Sequence, residues 1–202
     1  MGGLAHAQKY EFGVTAGLSH LNKPAWGSIS GSDTAQDYDT DIKAQQSIGA
    51  WVGLNTRGYY GHEFNYQITY AKVNSILRTT TDDVTTQATY RDRIAIHRVG
   101  YNFLIYFMPN GSRWRPFVTG GANAAQYQSP NIAGWSYGSN RAYGANYGAG
   151  LKLIPMPHAL LRLDVRDYVG GKPYDLTHPS TSTNTGGIVH QYEASVGFAL
   201  TF

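Results

Sequence analysis

A chain of 202 residues has room for one ordinary domain or one all-β barrel, and the absence of cysteine excludes disulfides and thiolate metal sites. Charged residues make up only 14%, against roughly 25% in typical soluble domains, a deficit that suits a lipid-facing surface better than a watery one. The net charge of +3 is dispersed, with no Lys/Arg run to follow a nucleic acid, and no run of about 18 apolar residues is present to make a transmembrane helix.

At the N-terminus, Ala5-His6-Ala7 has the A-x-A form of a signal-peptidase site, without the apolar stretch that should precede it. Residues 1–7 read as a signal-peptide remnant or a disordered tail, and residues 8–202 as one folded unit. Period-two alternation, the strand signal, then recurs eight times. In residues 9–20 (KYEFGVTAGLSH), Tyr10, Phe12, Val14 and Leu18 oppose Glu11, Gly13 and Thr15. Residues 44–55 set Ile48, Ala50, Val52 and Leu54 on one face. Residues 59–71 (YYGHEFNYQITYA) set Tyr60, Phe64, Tyr66 and Tyr70 against Gly61, Glu63 and Gln67. In residues 93–107, Val99, Tyr101, Phe103 and Ile105 oppose Arg98 and Asn102. Residues 115–126 (RPFVTGGANAAQ) have the least definite phase. Residues 142–153 oppose Tyr143, Tyr147 and Leu151 to Asn146 and Lys152. Residues 159–168 oppose Leu161, Leu163 and Val165 to Arg162, Asp164 and Arg166. The last segment, IVHQYEASVGFALTF, spans residues 188–202.

The connections alternate in length. Residues 55–57, 109–113 and 154–158 are short turns. Residues 20–42, 73–88, 127–141 and 169–187 read as four long polar loops. That rhythm predicts an eight-stranded antiparallel up-and-down transmembrane β-barrel. The polar faces carry Gly, Ser, Thr and Asn with few charges, which suits a narrow packed interior. Glu11, Glu63, Arg98, Lys152, Arg162, Asp164, Arg166 and Glu193 should therefore point into the lumen. Buried charges must be paired, and this set holds four of each sign. A salt-bridge network that plugs the lumen is the expectation, with Trp51 as filler between Gly49 and Gly53. Tyr60 and Tyr70 are ten residues apart on one face, as are Tyr192 and Phe202. At about 3.3 Å per residue and a tilt near 40° this spans about 25 Å, the height of a lipid band. Tyr10, Tyr60, Tyr70, Tyr192 and Phe202 form the expected aromatic girdles.

Other motifs are thin. Asp37-Tyr38-Asp39-Thr40-Asp41 begins like a calcium loop, but Ile42 and Ile48 occupy the positions that need Gly and Glu. It reads as a solvated acidic loop. Seven histidines give no H-x-x-x-H pair, so neither a metal nor a cofactor is expected. Ser19-His20 and His190, near strand tops, are the residues a lipid-modifying enzyme would use, but nothing local assembles them, and the chain reads as a non-enzyme.

The segments RGYYGHEFNYQITY, RPFVTGGANA, YGANYGAGLKL and LLRLDVRDY, with the terminal Phe202, resemble small OmpA-type outer-membrane β-barrels of Gram-negative bacteria. The resemblance covers most of residues 9–202 and is specific for the fold rather than for an activity. It implies a lumenal ion network, for which Glu63, Lys152 and Arg162 are the matching positions. It also implies assembly by the barrel-insertion machinery, with Phe198, Leu200 and Phe202 as the insertion signal, and location in the outer membrane with both termini periplasmic. The expected partners are outer-membrane lipid, lipopolysaccharide and surface ligands reached through the loops. The expected role is structural or surface-interacting; the alternatives are a small pore or conduit for ions or apolar solutes, and then a lipid-modifying enzyme.

Overall fold

The computed structural model describes residues 9–22, 29–30, 35–56, 58–131, 141–173 and 187–202, so the reading of residues 1–7 lies outside the described residues. The strands are β1 (Tyr10–Leu21), β2 (Ile29–Ser30), β3 (Ala35–Thr56), β4 (Tyr60–Thr81), β5 (Val84–Tyr106), β6 (Trp114–Tyr127), β7 (Arg141–Met156), β8 (Ala159–Gly171) and β9 (Ile188–Thr201). Two-residue β2 is an appendage on β3. The other eight pair antiparallel in chain order. β1 closes the ring by pairing with both β3 and β9, with Phe12 opposite Val52 on one side and Leu200 on the other. Closure leaves no free edge in the wall.

Alternation decides which side chain goes where. Val14, Val52, Phe64, Val99, Val118, Tyr147, Leu163 and Phe198, one from each long strand, lie exposed on the exterior. A predominantly apolar exterior of this kind is the lipid face of a membrane barrel; in water it would drive association. The interior takes the polar residues, with Gly13, Gly197 and other small positions making room for a few long ones. Trp51 is the clearest case. Its indole lies across the lumen against Gly13, Ala199 and Gly197, and a Cβ at Gly197 would stand 2.6 Å from the ring.

The far rim differs from the sequence reading. Residues 73–88 are not a loop. β4 and β5 continue as a paired ladder to Thr81 and Val84, joined by Asp82 and Asp83 alone. Both aspartates have positive φ (49° and 62°), the geometry of the hairpin turn whose twist matches that of its strands. β3 likewise begins at Ala35, inside the supposed first loop, and pairs with β4 from Thr80 downward. Crossing an apolar band of about 25 Å takes about ten residues of tilted strand, and β4 has 22. The upper halves of β3, β4 and β5 therefore stand as a blade beyond the lipid band, and four long loops become three long connections and one tight turn. Above the lipid the outer face of a strand meets water, and beyond Ser75 neither face of β4 is buried, so the apolar alternation fades and a Thr-rich strand reads as a loop. The Asp37–Asp41 segment is part of this blade. Its backbone is strand, with Asp37 opposite Arg78 and Asp41 opposite Asn74, not the turn that a calcium loop requires.

Candidate functional site

The lumen is layered along the barrel axis. At the short-turn end, Arg115 of β6 lies 1% exposed with its guanidinium 3.7 Å above the Tyr106 ring. It donates to the Gly58 carbonyl (2.9 Å), to Asn110 Oδ1 (3.3 Å) and to Asn55 Oδ1 (3.4 Å). Asn55 donates in turn to Glu11 Oε1 at 2.8 Å. Lys152 reaches Glu11 Oε2 and the Tyr106 hydroxyl, both at 2.6 Å. Glu11 and Lys152 thus make one closed ion pair between β1 and β7.

The second layer holds Glu63, Arg162, Asp164 and Arg166. Glu63 accepts from Arg162 through one oxygen, and from Arg166 (2.9 Å) and Asn102 (3.1 Å) through the other. Asp164 accepts from Arg162 at 2.5 Å and from Arg166 at 3.0–3.1 Å. Two carboxylates and two guanidiniums, all 7% exposed or less, form a ring of alternating charge. Arg162 also faces the rings of Phe117 (4.8 Å) and Trp51 (5.2 Å), a favourable cation–π arrangement. Beside this ring is a void of about 30 Å³ lined by Trp51, Glu63, Arg166 and Glu193, room for about one water molecule.

In the third layer, charges meet amides. Glu193 accepts from Gln67 (2.5 Å) and Ser19 (2.8 Å). Arg98 donates to Gln67 (3.3 Å) and Gln191 (2.7 Å) and stacks 4.1 Å over Tyr168. Arg98 and Glu193 are linked through Gln67, not paired directly. Above them the lumen turns apolar, with Leu21, Ile42, Val73, Ile94, Ile96, Tyr127 and Val189 in one buried cluster.

Two buried charged residues are not in the sequence-derived set. Arg115 escapes because Pro116 and the Gly120-Gly121 pair blur the alternation of its segment; its parity with Phe117 and Thr119 is the signal that places it. Asp167 has the outward parity of Leu163 and Val165, yet it is 6% exposed on the lipid side. It accepts from the Tyr147 hydroxyl at 2.7 Å and lies 2.8 Å from His190 Nδ1, whose ring stacks on Tyr192. Nothing local in the sequence announces that cluster, because its members come from three strands. The girdle candidates Tyr10, Tyr60, Tyr70, Tyr192 and Phe202 are all exposed on the exterior, and Phe198 and Leu200 share their face. Tyr60 stacks on Phe103 at 5.8 Å.

These observations decide the architecture. Solved structures similar to this chain include the outer membrane protein OprG of Pseudomonas aeruginosa, 16% identical, with 99% of each chain covered and a TM-score of 0.56. Neisserial surface protein A is 15% identical, with 97% of this chain and 99% of that one covered and a TM-score of 0.55. Outer membrane protein AlkL, solved by solid-state NMR in lipid bilayers, is 11% identical, with 100% and 94% covered and a TM-score of 0.56. No protein-family model matches the chain, and no curated protein matches it. The fold is that of a small outer-membrane β-barrel. At such identities the likeness is one of architecture, and what the lumen does rests on its own residues.

The barrel does not bring Ser19 together with His20 or His190. Ser19 points into the lumen and donates to Glu193, whereas His20 takes the opposite, outward face and His190 pairs with Asp167 outside. A nucleophile needs its base within hydrogen-bond reach, and the wall itself separates Ser19 from both. Among the described residues no cluster of three or more His, Asp or Glu side chains is arranged to hold a metal.

Proposed function

We propose that the chain is an integral barrel of a bacterial outer membrane, closed along its lumen, which presents its blade and outer rim as a surface for interaction. In this reading the short-turn end, where both ends of the barrel lie, faces the periplasm and the β3–β5 blade stands outside the cell. Phe198, Leu200 and Phe202 supply the alternating aromatic end that the insertion machinery reads, and the exterior girdle seats the barrel in lipid.

The observation that carries the closed-lumen reading is the second layer. Glu63, Arg162, Asp164 and Arg166 bridge β4 to β8 across the lumen, and Trp51 fills the space beside them. An eight-stranded barrel is only just wide enough for its side chains to fill. An ion entering from either rim would have to displace this ring or the apolar cluster above it. Of the two alternatives the apolar cluster suits a conduit for apolar solutes better than an ion pore, but its residues pack against one another, which supports the closed lumen over either. The purified barrel in a planar bilayer is expected to show no unitary currents across ±150 mV (about six times the thermal voltage per charge), while Trp51→Ala with Arg162→Ala opens a conductance. Steady currents from the unaltered chain would remove the closed-lumen reading.

A further inference from the structure

Just above the lipid band the exterior carries a row of like charges. Register places Lys43 opposite Lys72 and Lys72 opposite Arg93 on β3, β4 and β5. All three side chains are exposed on the outer face. Directly opposed residues have Cβ atoms about 5 Å apart, and like charges there are destabilising. Lys43 finds Asp41 at 3.3 Å. Among the described residues no carboxylate forms an ion pair with Lys72 or Arg93. The nearest in sequence, Asp92, accepts the backbone N–H groups of Arg93 and Asn131, each at 2.7 Å.

The same place holds an irregularity in the wall. Between Ala44 and Ser47 the β3–β4 register slips, leaving Gln45 and Gln46 without partners on β4, while Gln46 keeps its pairing with Leu18 of β1. Bulges re-aim side chains and gather beside functional sites. Here the slip opens an exterior cleft of about 630 Å³ lined by Leu18, Gln45, Gln46, Tyr70, Lys72 and Arg93. Its membrane side is Leu18 and Tyr70, and its upper side is the two cations. Lys72 stands two residues above the girdle tyrosine Tyr70, about 5 Å along the membrane normal for a tilted strand.

We propose that this cleft binds a phosphate group of an outer-leaflet glycolipid, with Lys72 and Arg93 on the phosphate, Gln45 and Gln46 on its sugar, and Leu18 and Tyr70 against the first carbons of an acyl chain. The inference rests on the orientation proposed above. A lipid is the occupant because the cleft is cationic above and apolar below and opens at the depth where lipid headgroups lie. Arg and Lys are the side chains that recognise phosphate, by bidentate hydrogen bonds and by point charge. A bound dianion also relieves the repulsion along the row.

The test uses the full chain refolded in phosphatidylcholine vesicles doped with lipid A, either bis-phosphorylated or enzymatically dephosphorylated, followed by mild detergent extraction and native mass spectrometry. The unaltered barrel is expected to retain the phosphorylated form at least about tenfold over the dephosphorylated form. Lys72→Gln with Arg93→Gln should lose that preference, Lys72→Arg should keep it, and Arg113→Gln on a short turn should not change it. Excess inorganic phosphate should not displace the lipid; if it does, the site is one for free phosphate and the lipid assignment fails. Equal retention of both lipids, or a double variant that binds like the parent, overturns the site while leaving the barrel reading intact. A chain that never enters the vesicles overturns both.

Discussion

Glu63→Ala is expected to destabilise the folded barrel by about 3–5 kcal/mol, the usual cost of removing one partner from a buried ion pair. Glu63 is 2% exposed and is shared by Arg162, Arg166 and Asn102. Without it, two guanidiniums remain on the single carboxylate Asp164, and one positive charge is left buried without a counterion. Glu63→Gln should lose less, because the amide oxygen still accepts one hydrogen bond while the charge is gone. Replacing the pair together, Glu63→Leu with Arg162→Met, should recover part of the loss, since it leaves no orphaned charge from that pair. Urea unfolding of the vesicle-inserted barrel, followed by tryptophan fluorescence, measures all three. A loss under about 1 kcal/mol for Glu63→Ala, the range of solvated surface pairs, would show that the second layer is wet.

Trp51→Ala should cost a similar amount, about 3–5 kcal/mol, for a different reason. The indole is 3% exposed and fills the lumen between two strands whose glycines leave it room. Truncation loses its burial and leaves a void. The complementary change follows from the same contact. Gly197→Val alone pushes a side chain into the ring, and overpacking of this kind costs about 1–3 kcal/mol. In the Trp51→Ala background the same valine refills the void and should restore part of the stability. The double-mutant cycle therefore predicts coupling of opposite sense to either single loss. Additive losses would mean that Trp51 and Gly197 do not share the space that the packing assigns to them.

Much of the fold was legible because a strand's period of two fixes the side on which each residue lies. Glu63 could be placed inward from Tyr60, Phe64 and Tyr66 alone, without knowledge of any partner. The partners were not legible in the same way. Arg98 meets Gln67 and Gln191, and Glu11 meets Lys152 141 positions away. Such contacts depend on the register of strands distant in the chain, which no local pattern carries. Arg115 was hidden by a proline and a run of small residues. Asp167 was hidden because an acid on the lipid side contradicts the face it belongs to, and only Tyr147 and His190 from neighbouring strands reconcile it. The blade was missed for a third reason. Beyond the lipid, β4 and β5 need no apolar exterior, so the cue that located every other strand is absent from residues 73–88. Their β-branched Val, Ile and Thr content is the cue that remained, and the Asp82-Asp83 pair marks the turn.

The central claim is that the apolar face of every strand meets lipid and the polar face fills a closed lumen. The chain has no cysteine, so single reporters can be introduced without background. Val196→Cys and Leu200→Cys lie on the exposed side of β9, and Ser195→Cys and Ala199→Cys on the lumenal side. Spin labels at these four positions in lipid vesicles test the claim most directly. The account predicts high accessibility to oxygen at 196 and 200, and low accessibility to both oxygen and a water-soluble nickel complex at 195 and 199. Access of the nickel complex to 196 and 200, or four positions that behave alike, would contradict it.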